Sequence, residues 1–228
     1  MCLLFPKAYF YIALRKIFID VDEKYQEIIS NTLNLFYKYG IRSLTIDDIC
    51  RHLSISKKTI YKYISNKSDL VEKAINKSFE IMQKNILLYY DIKGNAIDKI
   101  ISLSRHTIEE CRNFNPIILF ELKEYYAGIY DKFLSERKNL ILGLCEDNIK
   151  QGISEDIYRS NIPIDLYAKI NFYNSELFLN KELMQSLNNY SVTQISMALI
   201  DNSVRSVVNE NGIKYYEQQI LKIHQNNK

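Results

Sequence analysis

Apolar residues recur along this chain at helical spacing, and polar residues with capping chemistry cut the pattern into segments. From Asp22 to Tyr39, Ile28, Ile29, Leu33 and Phe36 share one face, and Gly40 follows as a C-cap. The stretch Thr45 to Lys67, TIDDICRHLSISKKTIYKYISNK, is patterned more tightly. Ile46, Ile49, Cys50 and Leu53 take the i, i+3, i+4, i+7 positions of a buried helical face. Thr45 is placed to cap that helix, with Asp48 as its capping-box partner and Leu44 and Ile49 as the flanking hydrophobic staple. Ser54, Ile55 and Ser56 interrupt the pattern, and Ser56 caps a second helix that reaches Ile64. Ile60 and Ile64 point one way on it, while Lys57, Lys58, Tyr61 and Lys62 share the opposite face.

Further on, Asn66 caps a helix over 67–90, with Asp69 at the box position. Asp91 to Asn95, DIKGN, is a break, and helical periodicity resumes from Ala96 to Arg112. Asn115 and Pro116 open a helix to Tyr126, and another is expected from Asp131 to Lys150, closed by Gly152. Pro163 opens the next, carrying Leu166, Ile170, Tyr173 and Leu177 to about Asn180. Ser191 with Gln194 is a capping box for a helix running to about Asn209, before Gly212, and an amphipathic tail follows from Ile213 to Ile223. The expectation is an all-α chain.

Composition supports that reading. Only 6 Gly and 3 Pro punctuate 228 residues, which favours long helices over strands and turns. Cys2, Cys50, Cys111 and Cys145 form no CxxC pair and read as reduced thiols of a cytoplasmic protein. The apolar opening, MCLLFPKAYFYIALRKIFID, is interrupted by Pro6 and Lys7 and ended by Arg15 and Lys16, so it is too short to span a bilayer. It also lacks the charge order of a signal peptide, and residues 1–21 are expected to be a peripheral or poorly ordered extension. No phosphate loop, nucleophile elbow or HExxH motif is present, and His52, His106 and His224 lie far apart in sequence. Neither an enzyme nor a cofactor or metal is expected.

The net charge is only +3, yet Arg51 to Lys67 contains five Lys or Arg and no acid. Phosphate responds to what lies within about a Debye length, roughly 10 Å at 0.1 M salt, so this local excess matters more than the total. A short helix, a tight turn and a second helix with a basic outer face compose a helix-turn-helix, whose second helix enters the DNA major groove.

The run SKKTIYKYISNKSDL closely resembles the end of the DNA-binding domain of TetR-type (tetracycline-repressor-like) transcriptional regulators. The likeness is strong from about Lys24 to Ala74 and elsewhere extends only to the helical layout. Two departures are Ser54, where the family usually has Gly in the turn, and Ile64, where it usually has Phe. The resemblance implies a helix-turn-helix DNA-binding domain over 22–68 and a helical ligand-binding and dimerisation domain over 69–228, linked by the helix 67–90. It also implies a ligand-responsive repressor that binds a palindromic operator in double-stranded DNA as a homodimer.

The expected DNA contacts are Lys57, Lys58, Thr59, Tyr61 and Lys62 in the groove, with Arg42, Thr45, Ser56, Tyr63 and Lys67 near the backbone. His106, Phe114, Phe120, Tyr125, Tyr126, Tyr130, Phe172 and Tyr173 are candidates to line a pocket for an unidentified small-molecule effector, although an aromatic bundle core needs the same residue types. Leu166, Ile170, Leu177, Ile195, Leu199, Ser203 and Ser206 are candidates for the dimer interface. Two other readings fit the layout: a small-molecule-binding or scaffold protein that has lost DNA binding, and a general architectural DNA-binding protein.

Overall fold

The computed structural model describes residues 23–113, 116–177 and 181–226, and what they form is helical apart from turns and one isolated bridge. The expectation for residues 1–21 falls outside that set. The chain divides into two compact units, one ending at Lys77 and the other beginning at Ser78. The division falls inside a single helix.

The first unit contains α1 (Glu23–Tyr39), α2 (Ile46–His52), α3 (Lys57–Ile60) and the start of α4 (Lys67–Tyr90). Most of the set the periodicity selects is its core: Ile28, Ile29, Leu33, Phe36, Ile49, Cys50, Ile60, Ile64, Leu70, Val71 and Ala74 are all buried, whereas Ile46 and Leu53, at the two ends of the α2 stripe, are only half-buried. Gly40 ends α1 at φ 83, and its N–H donates to the Phe36 carbonyl at 2.8 Å. Thr45 caps α2 through a full capping box with Asp48, and Ser56 caps α3 by accepting from the Thr59 N–H. Asn66 Oδ1 accepts from the Asp69 N–H as expected, but Asp69 does not close the box on Asn66. Its Oδ2 accepts from the N–H of Ser65 instead, one residue earlier, at 2.8 Å.

In the second unit α4 runs to Tyr90, and α5 (Ala96–Asn113), α6 (Pro116–Tyr125), α7 (Ala127–Ser154), α8 (Ile164–Glu176), the short α9 (Lys181–Ser186), α10 (Val192–Arg205) and α11 (Glu210–Asn226) follow. The helix α7 packs against α5, α6 and α8, and α10 packs against α5 and α8. A core of Ala96, Ile97, Ile149, Tyr158, Ile162, Ala168, Val204, Val207, Val208 and Tyr216 ties these elements together. Long-range polar ties reinforce it. Asn148, 4% exposed, donates to the Ala96 carbonyl and accepts from the Tyr158 hydroxyl, and Tyr215 donates to the Asp98 carboxylate. Burial is the main cause that raises the Tyr158 and Tyr90 hydroxyl pKa values well above the ordinary tyrosine value.

Two glycines expected to end helices do something else. α7 continues past Gly152 to Ser154, and Gly212 lies inside α11 rather than in a break before it. A Cβ on Gly152 would sit 2.2 Å from the Tyr158 ring, and one on Gly212 would sit 2.0 Å from the Ile157 carbonyl oxygen. Each glycine is there for close approach. No described helix is long and apolar enough to cross a membrane.

Candidate nucleic-acid interface

The interface rests on two short helices that are set by their caps rather than by their length. α2 ends at His52, and the chain turns through Leu53 and Ser54 into α3. Ser54 adopts φ 52, the left-handed conformation that glycine tolerates better, so this turn keeps its backbone shape with a serine in it. Ser54 N–H donates to Arg51 O at 3.2 Å, and Ile55 N–H to Cys50 O at 3.0 Å.

α3 proper is only Lys57–Ile60, shorter than the expected helix to Ile64. Residues Tyr61 to Tyr63 continue it as a tighter turn, with Lys62 N–H donating to Thr59 O and Tyr63 N–H to Ile60 O. Because Ile60 and Ile64 are both buried, 0% and 4% exposed, the opposite side faces out. Lys57, Lys58, Tyr61 and Lys62 are all exposed there, Tyr61 at 50%. The structure therefore brings four of the five predicted groove residues onto one open surface, and leaves Thr59 half-buried beside it.

The surrounding candidates are engaged in different ways. Thr45 Oγ1 donates to Asp48 Oδ2 and accepts from the Asp48 N–H, so its hydroxyl is committed to the cap. Thr59, half-buried, has its hydroxyl 2.9 Å from that of Ser56. The Tyr63 ring lies 5.9 Å from that of Tyr25, turned toward α1. Arg42 is exposed and Lys67 half-exposed at the edges of the same unit.

One acid escaped the sequence pattern. Asp47, on α2, holds the Lys57 ammonium at 2.7 Å across the turn, so the basic face has a carboxylate in space although none lies on its own helix. Residues ten apart across a turn obey no local pairing rule, which is why spacing does not reveal this pair. The hydrogen bond that Lys57 donates to Asp47 raises the Lys57 pKa, and bonds that Thr45 donates to Asp48 lower that of Asp48. Asp69 is lowered too, chiefly by Lys73. The stability such a lowered carboxylate adds is complete above its unfolded value and disappears as pH falls through its depressed one.

The proposed effector residues are not gathered in the same way. Phe120, Tyr125 and Tyr173 are exposed, Tyr126 and Tyr130 half-buried, and Phe172 buried with its ring 5.1 Å from that of Tyr173. Burial raises the Tyr126 hydroxyl pKa. Phe114 and the side chain of His106 lie outside what the structure describes. A cleft of about 290 Å³ is lined by Arg205, Glu217, Ile220 and Leu221, none of which was a candidate. Among the candidate interface residues, Leu166 and Ile170 are exposed, 49% and 44%, whereas Leu177, Leu199, Ser203 and Ser206 are half-buried. Ile195 is 8% exposed and already packed inside its own chain, so it is not available to a second copy. Among the described residues, no group of three His, Cys, Asp or Glu side chains is placed to hold a metal ion.

A capped helix, a tight turn and a second helix with an open basic face define a helix-turn-helix DNA-binding protein. Residues 28–74 match the family model of bacterial regulatory proteins of the tetR family. The chain is 27% identical over 141 residues to the uncharacterized HTH-type transcriptional regulator YvaF of Bacillus subtilis, across 58% of this chain and 74% of YvaF. It is 25% identical over 134 residues to IcaR of Staphylococcus aureus, the HTH-type negative transcriptional regulator of the biofilm operon icaADBC, across 58% of this chain and 66% of IcaR. In three dimensions it is similar to reduced NemR of Escherichia coli, with TM-score 0.65 and 10% identity over 82% of this chain and 98% of that one. The family-model match and the likeness to these regulators support a TetR-type transcriptional regulator.

Proposed function

We propose that this chain represses transcription by binding a palindromic operator as a homodimer, and that a small-molecule effector acting on its second unit controls that binding. The observation that carries the proposal is the exposed Lys57, Lys58, Tyr61 and Lys62 face, held outward by the burial of Ile60 and Ile64. Arg42 and Lys67 flank it and reach for phosphates, which position the protein, while the lysines of α3 read groove edges such as guanine O6 and N7.

Dimerisation is supported by an apolar stripe. Leu166, Ile170 and Tyr173 follow i, i+4, i+7 spacing on α8, and all three are exposed in the single chain, at 49%, 44% and 59%. A twofold dimer places two α3 helices on successive major-groove faces, about one helical turn apart. Repression follows the likeness to IcaR, a negative regulator. An effector that prefers one spacing of the two α3 helices, and an operator that prefers another, weaken each other reciprocally. Such a regulator works in the cytoplasm, where its DNA is.

Selection of bound duplexes from a random pool, followed by sedimentation of the protein alone, tests the proposal. Enrichment of an inverted repeat by a sedimenting dimer is the expected result. Equal retention of unrelated duplexes would instead identify an architectural DNA-binding protein, and no retention at all would leave a helical scaffold.

A further inference from the structure

The short α3 is held at its far end by a residue that faces no groove. Lys73, on α4, donates from Nζ to the Tyr63 carbonyl oxygen at 2.8 Å and to Asp69 Oδ2 at 2.8 Å. The same Asp69 oxygen accepts from the Ser65 N–H at 2.8 Å and from the Ser65 hydroxyl at 3.2 Å. The connection from α3 to α4 is thus pinned at both Tyr63 and Ser65 by one lysine–aspartate pair.

Four helical residues cannot keep their own direction, because a helix of one turn is unstable alone. Two things fix it here. Ile60 and Ile64 seat one side in the core, and Lys73 takes a carbonyl of the last turn, where a helix offers oxygens without internal partners and a negative dipole end. Tyr61 and Lys62, half of the open basic face, lie in that last turn. The Lys73 side chain is 30% exposed and its ammonium is engaged with both partners, so it sits behind the DNA-binding surface rather than on it.

We propose that Lys73 is a positioning residue for DNA binding, fixing the orientation of Tyr61 and Lys62 through the Tyr63 carbonyl and doing so without touching the nucleic acid. This rests on the DNA-binding reading above. The partner acted upon is the same duplex, and the role added is that of setting the angle at which α3 meets it.

The test uses the full chain and a duplex taken from random-pool selection, with affinity measured across a salt series well below the unfolding temperature. Lys73→Met keeps the aliphatic stem and removes the ammonium. Affinity is expected to fall about tenfold, the effect of one charged hydrogen bond, with the slope of log K against log salt unchanged. Lys73→Arg, which restores a donor, is expected to recover most of the loss. Where Lys73→Met does not fold, Asp69→Asn serves, and it is expected to weaken binding in the same direction.

Wild-type affinity in a folded Lys73→Met or Asp69→Asn variant would overturn the inference, because a merely structural pair would lower the melting temperature and leave binding alone. A slope reduced by about 0.9 would overturn it differently, by making Lys73 a phosphate contact. If the wild-type chain itself retains no duplex, the DNA-binding reading fails before Lys73 is reached, so the two failures are distinguishable.

Discussion

The two units of this chain are held together by different kinds of contact. In the first, the ties that shape the site are short-range: Thr45 with Asp48, Ser56 with Thr59, Asn66 with Asp69, and Lys73 with Tyr63. In the second, residues far apart in the chain meet. Asn148 reaches Ala96, Tyr215 reaches Asp98, and Arg159 donates to the Ser206 carbonyl. An isolated bridge between Tyr158 and Val208 joins two loops that share no local pattern. Short-range ties are individually weak and replaceable, whereas buried long-range ties have no substitute. The first unit should therefore yield to substitution in small steps and the second in large ones.

The largest effect is expected at Gly212. Gly212→Ala drives a Cβ to 2.0 Å from the Ile157 backbone oxygen, which cannot swing aside as a side chain can. A loss of about 3 kcal/mol is expected, the upper part of the range for overpacking, read from urea denaturation followed by circular dichroism. An unchanged midpoint would mean that this junction yields.

Asn148→Ala comes next. It leaves the Ala96 carbonyl and the Tyr158 hydroxyl without their partner in a buried setting, for an expected loss of roughly 2 kcal/mol in the same assay. In the first unit, Thr45→Ala removes one cap and should lower stability by about 1 kcal/mol. A cap variant as damaging as Asn148→Ala would break the contrast between the units.

The smallest expected effect has the opposite sign. Ser54 sits at φ 52, a conformation that costs a non-glycine residue about 1 to 2 kcal/mol, partly offset by the greater entropy glycine loses on folding. Ser54→Gly should raise stability by about 0.5 kcal/mol, seen as a small upward shift in melting temperature. A decrease would show that Ser54 is stabilised in the turn by something its φ does not reveal.

The same contrast explains what could be read from residues alone. The caps at Thr45, Ser56 and Ser191 follow rules that span three positions, and all three close as the spacing implies. The basic face of α3 was legible because the periodicity of Ile60 and Ile64 fixes which side turns outward. The Asp47–Lys57 pair was not, since it depends on the angle between two helices. Gly152 and Gly212 look like helix ends in sequence, and only the approach of Tyr158 and Ile157 shows why they are glycines. The described aromatic residues among those expected to line an effector pocket scatter between surface and core, because aromatic content says how much area is available to bury and not which way each ring points. Ile195 shared a helical stripe with interface candidates but turned inward, as a bundle helix with two apolar contacts requires.

The central claim is that the open lysine and tyrosine face of α3 meets DNA. A salt-series binding titration of the double variant Lys57→Ala, Lys58→Ala, on a duplex selected by the wild-type chain, addresses it directly. Loss of binding to that duplex, with an unaltered far-ultraviolet circular dichroism spectrum and an unaltered sedimentation coefficient, is the result expected. Wild-type affinity with a wild-type salt slope would contradict it, and would move the nucleic-acid contact to another surface of the molecule.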